Sequence, residues 1–272
     1  MSQSLSPLHA APTRLRVAGH FGELMQGRLG PDGPLALISL PCPALWVECA
    51  GSFPADTLIS AERLDALCAA LTLPRPIRAP GLNATMPPGG GAGSSTAGLV
   101  ALARALGFTG TPETLALACA RVEGASDPLM FTHAERLLFA PRTGRILRRL
   151  PALPRFEVLG GFFGPVQRTD PQDVAFPDIA DLVAAWQPGL GLAALASLAS
   201  QSARRTLALR GPTPDPTEGL AKELGAAGWM IAHTGNARGL IFAPETIPPE
   251  AADTLRRAGF ADVVQFSGGG DT

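Results

Sequence analysis

Lysine is almost absent from this chain of 272 residues, in which Lys222 is the only one. A P-loop carries a lysine on the β- and γ-phosphates within the run GxxxxGK[ST]. Lys222 follows Leu220 and Ala221 with no glycine directly before it, so a P-loop is excluded. A protein-kinase fold, which needs a strand lysine in a V-A-I-K context, is excluded for the same reason.

Cysteine, net charge and long apolar runs are also scarce. The four cysteines form no CxxC pair and no zinc-binding spacing, so we expect buried free thiols in a reducing cytosol. Basic and acidic residues number 22 and 23, and this balance argues against a nucleic-acid partner. The N-terminus lacks a signal pattern, and the uncharged stretch 186–203 is too polar for a bilayer. These features predict a cytoplasmic protein with no membrane partner.

Apolar residues make up 46% of the chain, enough for one large domain or two lobes. Helix and strand patterns intermix without a regular βαβ rhythm, which favours an α+β fold. Pro151 and Pro154 indicate a boundary between lobes of residues 1–152 and 153–272. We expect a first strand over 14–18. Further strands are expected over 35–40 and 45–49, separated by Pro41 and Pro43.

The strongest motif is PPGGGAGSSTA over residues 87–97. Its glycines allow unusual backbone angles that bring several N–H groups together. The helix expected from Ser94 adds free N–H groups and a positive dipole end, and the hydroxyls can bond phosphate or ligate Mg²⁺. We therefore predict an anion-binding loop that uses Pro87, Gly89, Gly90, Gly91, Gly93, Ser94, Ser95 and Thr96.

Three other interpretations of this loop are open. A dinucleotide fingerprint, G-x-G-x-x-G, places its third glycine where this chain has Thr96. A nucleophile elbow, G-x-S-x-G, ends on glycine where this chain has Ala97. The simplest alternative is a glycine-rich surface loop that ends in an ordinary serine cap.

A second motif contains two carboxylates, Glu123 and Asp127, near the end of a helix that Gly124 and Pro128 terminate. If helical geometry persists, both side chains point to one side. Acidic groups are unfavourable at the negative end of a helix dipole. That cost indicates a compensating cation, either Mg²⁺ or an arginine, unless the pair is simply solvated.

Two further segments are rich in glycine beside polar side chains. In the segment 228–239 an apolar strand leads to His233, Thr234 and Gly235, which can contact a ligand or form only a hairpin turn. The segment 19–27, directly after the first strand, contains Glu23 and Gln26, which can make polar contacts with a ligand. The alternative interpretation of this segment is a turn with a solvated glutamate.

Taken in order, these four segments resemble the GHMP kinase superfamily, which uses a Pro-x3-Gly-Leu-Gly-Ser-Ser-Ala loop instead of a P-loop. The Ser-Ser-Thr-Ala ending of the loop and the Gly-Glu-Leu-x-Gln-Gly run at 22–27 are most similar to the L-threonine kinases of the propanediol-utilisation and cobalamin type. The family often has serine or threonine where this chain has His20.

The resemblance implies a two-lobed fold, with an N-terminal lobe like ribosomal protein S5 domain 2 and a ferredoxin-like C-terminal lobe. It implies an ATP- and Mg²⁺-dependent kinase of a small hydroxyl compound. By position, Ser95 and Glu123 would hold Mg²⁺, and Asp127 would lie beside the attacking hydroxyl. The substrate would lie near Glu23, His233, Thr234 and Gly235.

Several functions compete at this stage. L-Threonine is the first acceptor to consider, and homoserine or another small alcohol is the alternative within the same class. A non-catalytic nucleotide-binding protein is a rival, although the presence of both Glu123 and Asp127 argues against lost turnover. A serine hydrolase that uses Ser95 is a third possibility.

Overall fold

The computed structural model describes residues 14–51, 58–166, 170, 172–211 and 214–270. Within these ranges the chain forms one antiparallel sheet and seven α-helices. The strands are β1 Leu15–Arg28, β2 Leu35–Ala50, β3 Gly81–Ala84, β4 Leu137–Ala140, β5 Arg145–Arg149, β6 Phe156–Phe162, β7 Gly228–Ile231, β8 Ala237–Phe242 and β9 Ala261–Gly268. The helices are α1 Ala61–Leu71, α2 Ser94–Ala105, α3 Pro112–Glu123, α4 Ala180–Ala185, α5 Leu192–Arg210, α6 Thr217–Glu223 and α7 Ala251–Arg257.

The sheet runs through both halves of the chain in the order β5-β4-β2-β1-β7-β8-β6-β9, with β3 beside β2. Strands β1 to β5 precede the expected boundary and β6 to β9 follow it. The two groups meet where β1 pairs with β7, at Glu23 and Ile231. The predicted α+β class is confirmed, while the boundary at residue 152 stays a prediction.

The first two strands are longer than the sequence indicates. β1 continues to Arg28, so the segment 19–27 lies inside a strand and not in a loop. β2 is one strand, because Pro41 and Pro43 lie at an irregularity of its pairing and do not interrupt it. The partners Gly19↔Cys42 and Ala18↔Trp46 leave residues 43–45 of β2 as a bulge, where Pro43 does not need an N–H group to pair. Pro41 is the partner of His20, directly before a second irregularity of β1.

Local signals for helices are confirmed. Ser60 caps α1, and Thr111 caps α3 with Pro112 in the first turn. α2 begins at Ser94, directly after the glycine loop, and packs against β1 and β2. The four cysteines are buried and free. None of the helices in the described ranges is long and apolar enough to cross a membrane.

Gln26 joins three elements at the centre of the sheet. Its side chain is fully buried and donates to the carbonyls of Ile231 and Ala232 at 3.0 and 3.2 Å. Its backbone N–H donates to Ser202 on α5 at 3.0 Å. Since β1 and β7 share few ladder bonds, this side chain contributes much of the polar connection between them.

We expect Gln26→Ala to lower the free energy of unfolding by about 3 kcal/mol, because two buried carbonyls lose a donor and a cavity forms. Chemical denaturation measures the change. Gln187→Ala is the matched control, since the exposed Gln187 also donates to a backbone carbonyl. Equal stability of the two variants would contradict the role given to Gln26.

Candidate active site

One cavity of about 450 Å³ lies where the glycine loop, β1, the start of α1, the end of α3 and the segment after β7 meet. This volume is typical of small-molecule sites. The cavity brings together most of the residues that the sequence singles out, namely Glu23, Gly89, Gly91, Gly93, Ser94, Ser95, Thr96, Glu123, Asp127, His233 and Thr234.

The glycine loop delivers the start of α2 to this cavity. Gly93 is the N-cap residue, with φ of 75°, and it provides no side-chain acceptor for the first turn. The N–H groups of that turn therefore keep their capacity to bind an anion, and the helix dipole adds to it. Gly89 and Gly91 also have positive φ, which side chains disfavour.

Pro87, Gly90 and Gly235 shape the loop and are not among the residues that line the cavity. The Gly90 carbonyl accepts bonds from the N–H groups of Asn236 and Ala237 at 3.1 and 3.0 Å. A Cβ on Gly235 would lie 2.2 Å from the backbone of Gly90 and Gly91. Only glycine permits this approach, so the segment between β7 and β8 holds the loop from behind.

Glu123 is buried, and both of its carboxylate oxygens are engaged. Its Oε1 accepts bonds from Ser95 Oγ and, at 2.6 Å, from Arg63, and its Oε2 accepts from Thr96 at 3.2 Å. Burial raises the pKa of Glu123 to about 6, against the stabilising effect of Ser95 and Arg63. The sequence predicts either Mg²⁺ or an arginine as the cation at this helix end, and the structure has Arg63 there.

Asp127 reaches the same cavity by a different route from the one expected. α3 ends at Glu123, and Gly124 with φ of 75° turns the chain, so the two carboxylates do not share a helix. The Asp127 N–H donates to Thr96 Oγ1 at 3.3 Å, which fixes Asp127 beside the start of α2. The Thr96 hydroxyl thus positions both carboxylate residues.

His20 lies between two carboxylates. Its Nε2 is 3.5 Å from Asp127 Oδ1, and its Nδ1 is 3.5 Å from Glu23 Oε1. Burial opposes the charge of His20, but Asp127 and Glu23 outweigh it and raise the pKa of the imidazole to about 9. Burial likewise raises the pKa of Glu23 to about 8, although the His20 charge opposes this. Burial also acts to raise the pKa of Asp127, yet the imidazolium dominates and holds it below the usual value.

His233 is an uncharged hydrogen-bonding group at the same end of the cavity. Its ring stacks on Phe176 with centroids 4.4 Å apart, and burial, aided by Arg210, lowers its pKa to about 4. Its Nδ1 lies 3.1 Å from Gln26 Oε1. Because the Gln26 amide nitrogen donates to two carbonyls, Oε1 is an acceptor and Nδ1 carries the proton. His233 Nε2 is therefore an acceptor.

Sequence reasoning missed two basic side chains of the cavity, His20 and Arg63. His20 stands in the segment 19–27, and its placement depends on the bulges that turn β1 between His20 and Glu23. Arg63 lies on α1, where nothing local separates it from an ordinary surface arginine. The scarcity of lysine is the one signal in the sequence that points to Arg63, because a cation other than lysine has to balance the charge of Glu123.

The oxygen donors beside the glycine loop fit a magnesium ion. Ser95 Oγ and Glu123 Oε1 are hydrogen-bonded neighbours, and both belong to the hard ligand class that Mg²⁺ prefers. Their position next to the start of α2 also suits an ion that bridges to phosphate oxygens.

Comparisons with known proteins give results for solved structures only. No family model matches the chain, and no curated protein matches it. The Methanococcus jannaschii mevalonate kinase superposes with a TM-score of 0.66 at 12% identity, over 97% of this chain and 100% of that one.

Two further structures match over nearly the whole length. The L. major mevalonate kinase in complex with R-mevalonate gives a TM-score of 0.62 at 16% identity, over 97% of this chain and 98% of that one. A Listeria monocytogenes protein assigned as a homoserine kinase gives a TM-score of 0.54 at 18% identity, over 95% of this chain and 97% of that one. Together with the sheet and helices described above, these matches establish that the chain has the fold of the GHMP kinases.

Proposed function

We propose that this protein is an ATP- and Mg²⁺-dependent kinase that phosphorylates the side-chain hydroxyl of a small amino acid, with L-threonine as the first candidate. The observation that carries the proposal is a single cavity in which the uncapped start of α2 faces two carboxylates, Glu123 and Asp127. Fold and motif resemblance support the same class of reaction. A cytoplasmic location remains a prediction from the sequence.

The glycine loop and α2 would bind the phosphates of ATP. Backbone N–H groups from the first turn, with the hydroxyls of Ser94 and Ser95, offer donors to the phosphate oxygens. Ser95 and Glu123 would hold Mg²⁺, which neutralises charge on the transferring phosphoryl group. Phosphoryl transfer depends mainly on positioning and charge neutralisation, so the glycine loop, the start of α2 and the bound Mg²⁺ can act without a P-loop lysine.

Asp127 would act on the acceptor hydroxyl. The hydroxyl oxygen forms a bond to the γ-phosphorus, the bond from that phosphorus to the β–γ bridging oxygen breaks, and ADP leaves. The hydroxyl proton passes to the Asp127 carboxylate, which His20 keeps ionised at neutral pH. His20 is thus a positioning residue that acts through Asp127.

The acceptor end of the cavity suits an ammonium group. Neither of the buried Glu23 oxygens accepts a hydrogen bond from a side chain, although His20 Nδ1 lies 3.5 Å from Oε1. His233 presents an acceptor at Nε2 in the same part of the cavity. An ammonium group would supply the missing donors and draw the Glu23 carboxyl toward its ionised form. This arrangement favours an amino acid over a simple alcohol, and the choice of threonine rests on the resemblance of the segment 22–27.

Acceptor choice is tested by ADP release with L-threonine, L-serine, L-homoserine, ethanol and isopropanol. We expect L-threonine to be the best acceptor, L-serine to be weaker by roughly tenfold for one lost methyl, and the simple alcohols to be nearly inert. Glu23→Ala should damage the threonine reaction more than ATP binding. Preference for homoserine or a simple alcohol would overturn the threonine assignment, and nucleotide binding without any turnover would indicate a non-catalytic protein.

Glu123→Gln should shift the Mg²⁺ dependence of the rate to at least about tenfold higher concentration, because a ligand loses its charge while its shape is kept. A Mg²⁺ titration of the initial rate measures this. Glu113→Gln, at an exposed position in the first turn of the same helix, is the control. If both variants titrate like the wild type, Glu123 is only a helix-end residue.

His20→Gln should move the acid limb of the kcat/KM profile to higher pH by about 1–3 units, the range expected on losing a neighbouring opposite charge. The sign follows from Asp127, whose pKa rises once burial acts without the imidazolium, so that its active ionised form is lost at a higher pH. His133→Asn, at an exposed position with positive φ, is the control. An unmoved acid limb would show that His20 does not act through Asp127.

A further inference from the structure

The triphosphate of ATP needs positive charge that lysine does not supply here. Lys222, the chain's only lysine, lies on α6, is 74% exposed and pairs with Glu218 at 3.0 Å. It does not line the cavity. Any cationic side chain that meets the phosphates must therefore be an arginine or a histidine.

Three basic side chains line the cavity among the residues that the structure describes, and two of them are engaged by contacts away from the glycine loop. His20 lies between Glu23 and Asp127. His233 is stacked on Phe176 and bonded to Gln26 at the acceptor end. Arg63 remains, and its guanidinium is charged at every physiological pH.

Arg63 is placed at the phosphate end of the cavity. It lies in the first turn of α1, where the Ser60 hydroxyl accepts its backbone N–H at 3.4 Å. Its Nη2 donates to Glu123 Oε1 at 2.6 Å, the same oxygen that Ser95 Oγ approaches. The guanidinium is therefore held next to the first turn of α2, which is the expected phosphate-binding position.

The side chain is also open enough to make a second contact. Its exposed fraction is 36%, whereas that of Glu123 is 6%. The bond to Glu123 uses one of five guanidinium N–H donors. Because Glu123 already orders the long side chain, less conformational entropy remains to be lost when an anion binds.

We propose that Arg63 is a nucleotide-binding residue that donates to the β- and γ-phosphates of ATP and supplies there the charge that a lysine gives to P-loop proteins. This inference rests on the proposed function. It adds a role for α1, which no sequence motif of this chain indicated. The simpler alternative is that Arg63 only neutralises the buried Glu123.

Calorimetric titrations of ATP, ADP and AMP in excess EDTA separate these two roles without requiring turnover. Arg63→Gln should weaken the binding of ATP and ADP by about tenfold or more, the loss of one charged hydrogen bond, and leave AMP nearly unchanged. Arg104→Gln removes a charge from the exposed far end of α2 and should change none of the affinities.

A double variant that combines Arg63→Gln with Glu123→Gln tests whether Arg63 only neutralises Glu123. If Arg63 contacts phosphate, adding Arg63→Gln to the Glu123→Gln protein should again weaken ATP binding by about tenfold. A loss that disappears in this background, or that is equal for AMP, would overturn the inference. Arg63→Lys, which keeps the charge, should retain more ATP affinity than Arg63→Gln, and it serves if Arg63→Gln does not fold. Failure of the wild-type protein to bind ATP would refute the proposed function itself.

Discussion

Charge balance around three carboxylates, two of them buried and Asp127 partly buried, is the constraint on which the site depends. Glu23, Glu123 and Asp127 line one cavity, and taking each of them out of water is costly unless a partner compensates it. Arg63 compensates Glu123, and His20 lies between the other two. The cavity thus has one end with an arginine and hydroxyl groups and another with two histidines and Glu23; under the proposed function these are the phosphate end and the acceptor end.

The fold provides this separation through backbone contacts that leave little freedom. The glycine loop is held by the His20 N–H, which donates to the Ala92 carbonyl at 3.1 Å, and from the other side by the segment at Gly235. Thr96, in the first turn of α2, then fixes Glu123 and Asp127 through one hydroxyl. Small backbone distances at the loop therefore set the positions of the carboxylates that define the site.

Much of this organisation could be predicted from local sequence. The loop over 87–93, the start of α2 and the end of α3 follow from glycine, capping residues and apolar spacing, all of which act within a few residues. The four segments predicted to form the site do meet in one cavity, and Gly235 shapes the loop without lining it.

The remainder depends on contacts between distant parts of the chain. β1 and β2 are longer than expected because their pairing continues through bulges, which depend on the partner strand and leave no local signal. His20 and Arg63 enter the site through side-chain contacts with residues 107 and 60 positions away. Their roles follow from the need to balance charge, which becomes visible only once the carboxylates are placed together.

The central claim is that this cavity transfers the γ-phosphoryl group of ATP to an amino-acid hydroxyl. Phosphorus NMR of the wild-type protein with ATP, Mg²⁺ and L-threonine tests it directly. The account predicts a new phosphomonoester signal that grows in step with ADP and is absent without the amino acid. ADP formed together with inorganic phosphate alone, or no loss of ATP at all, would contradict it.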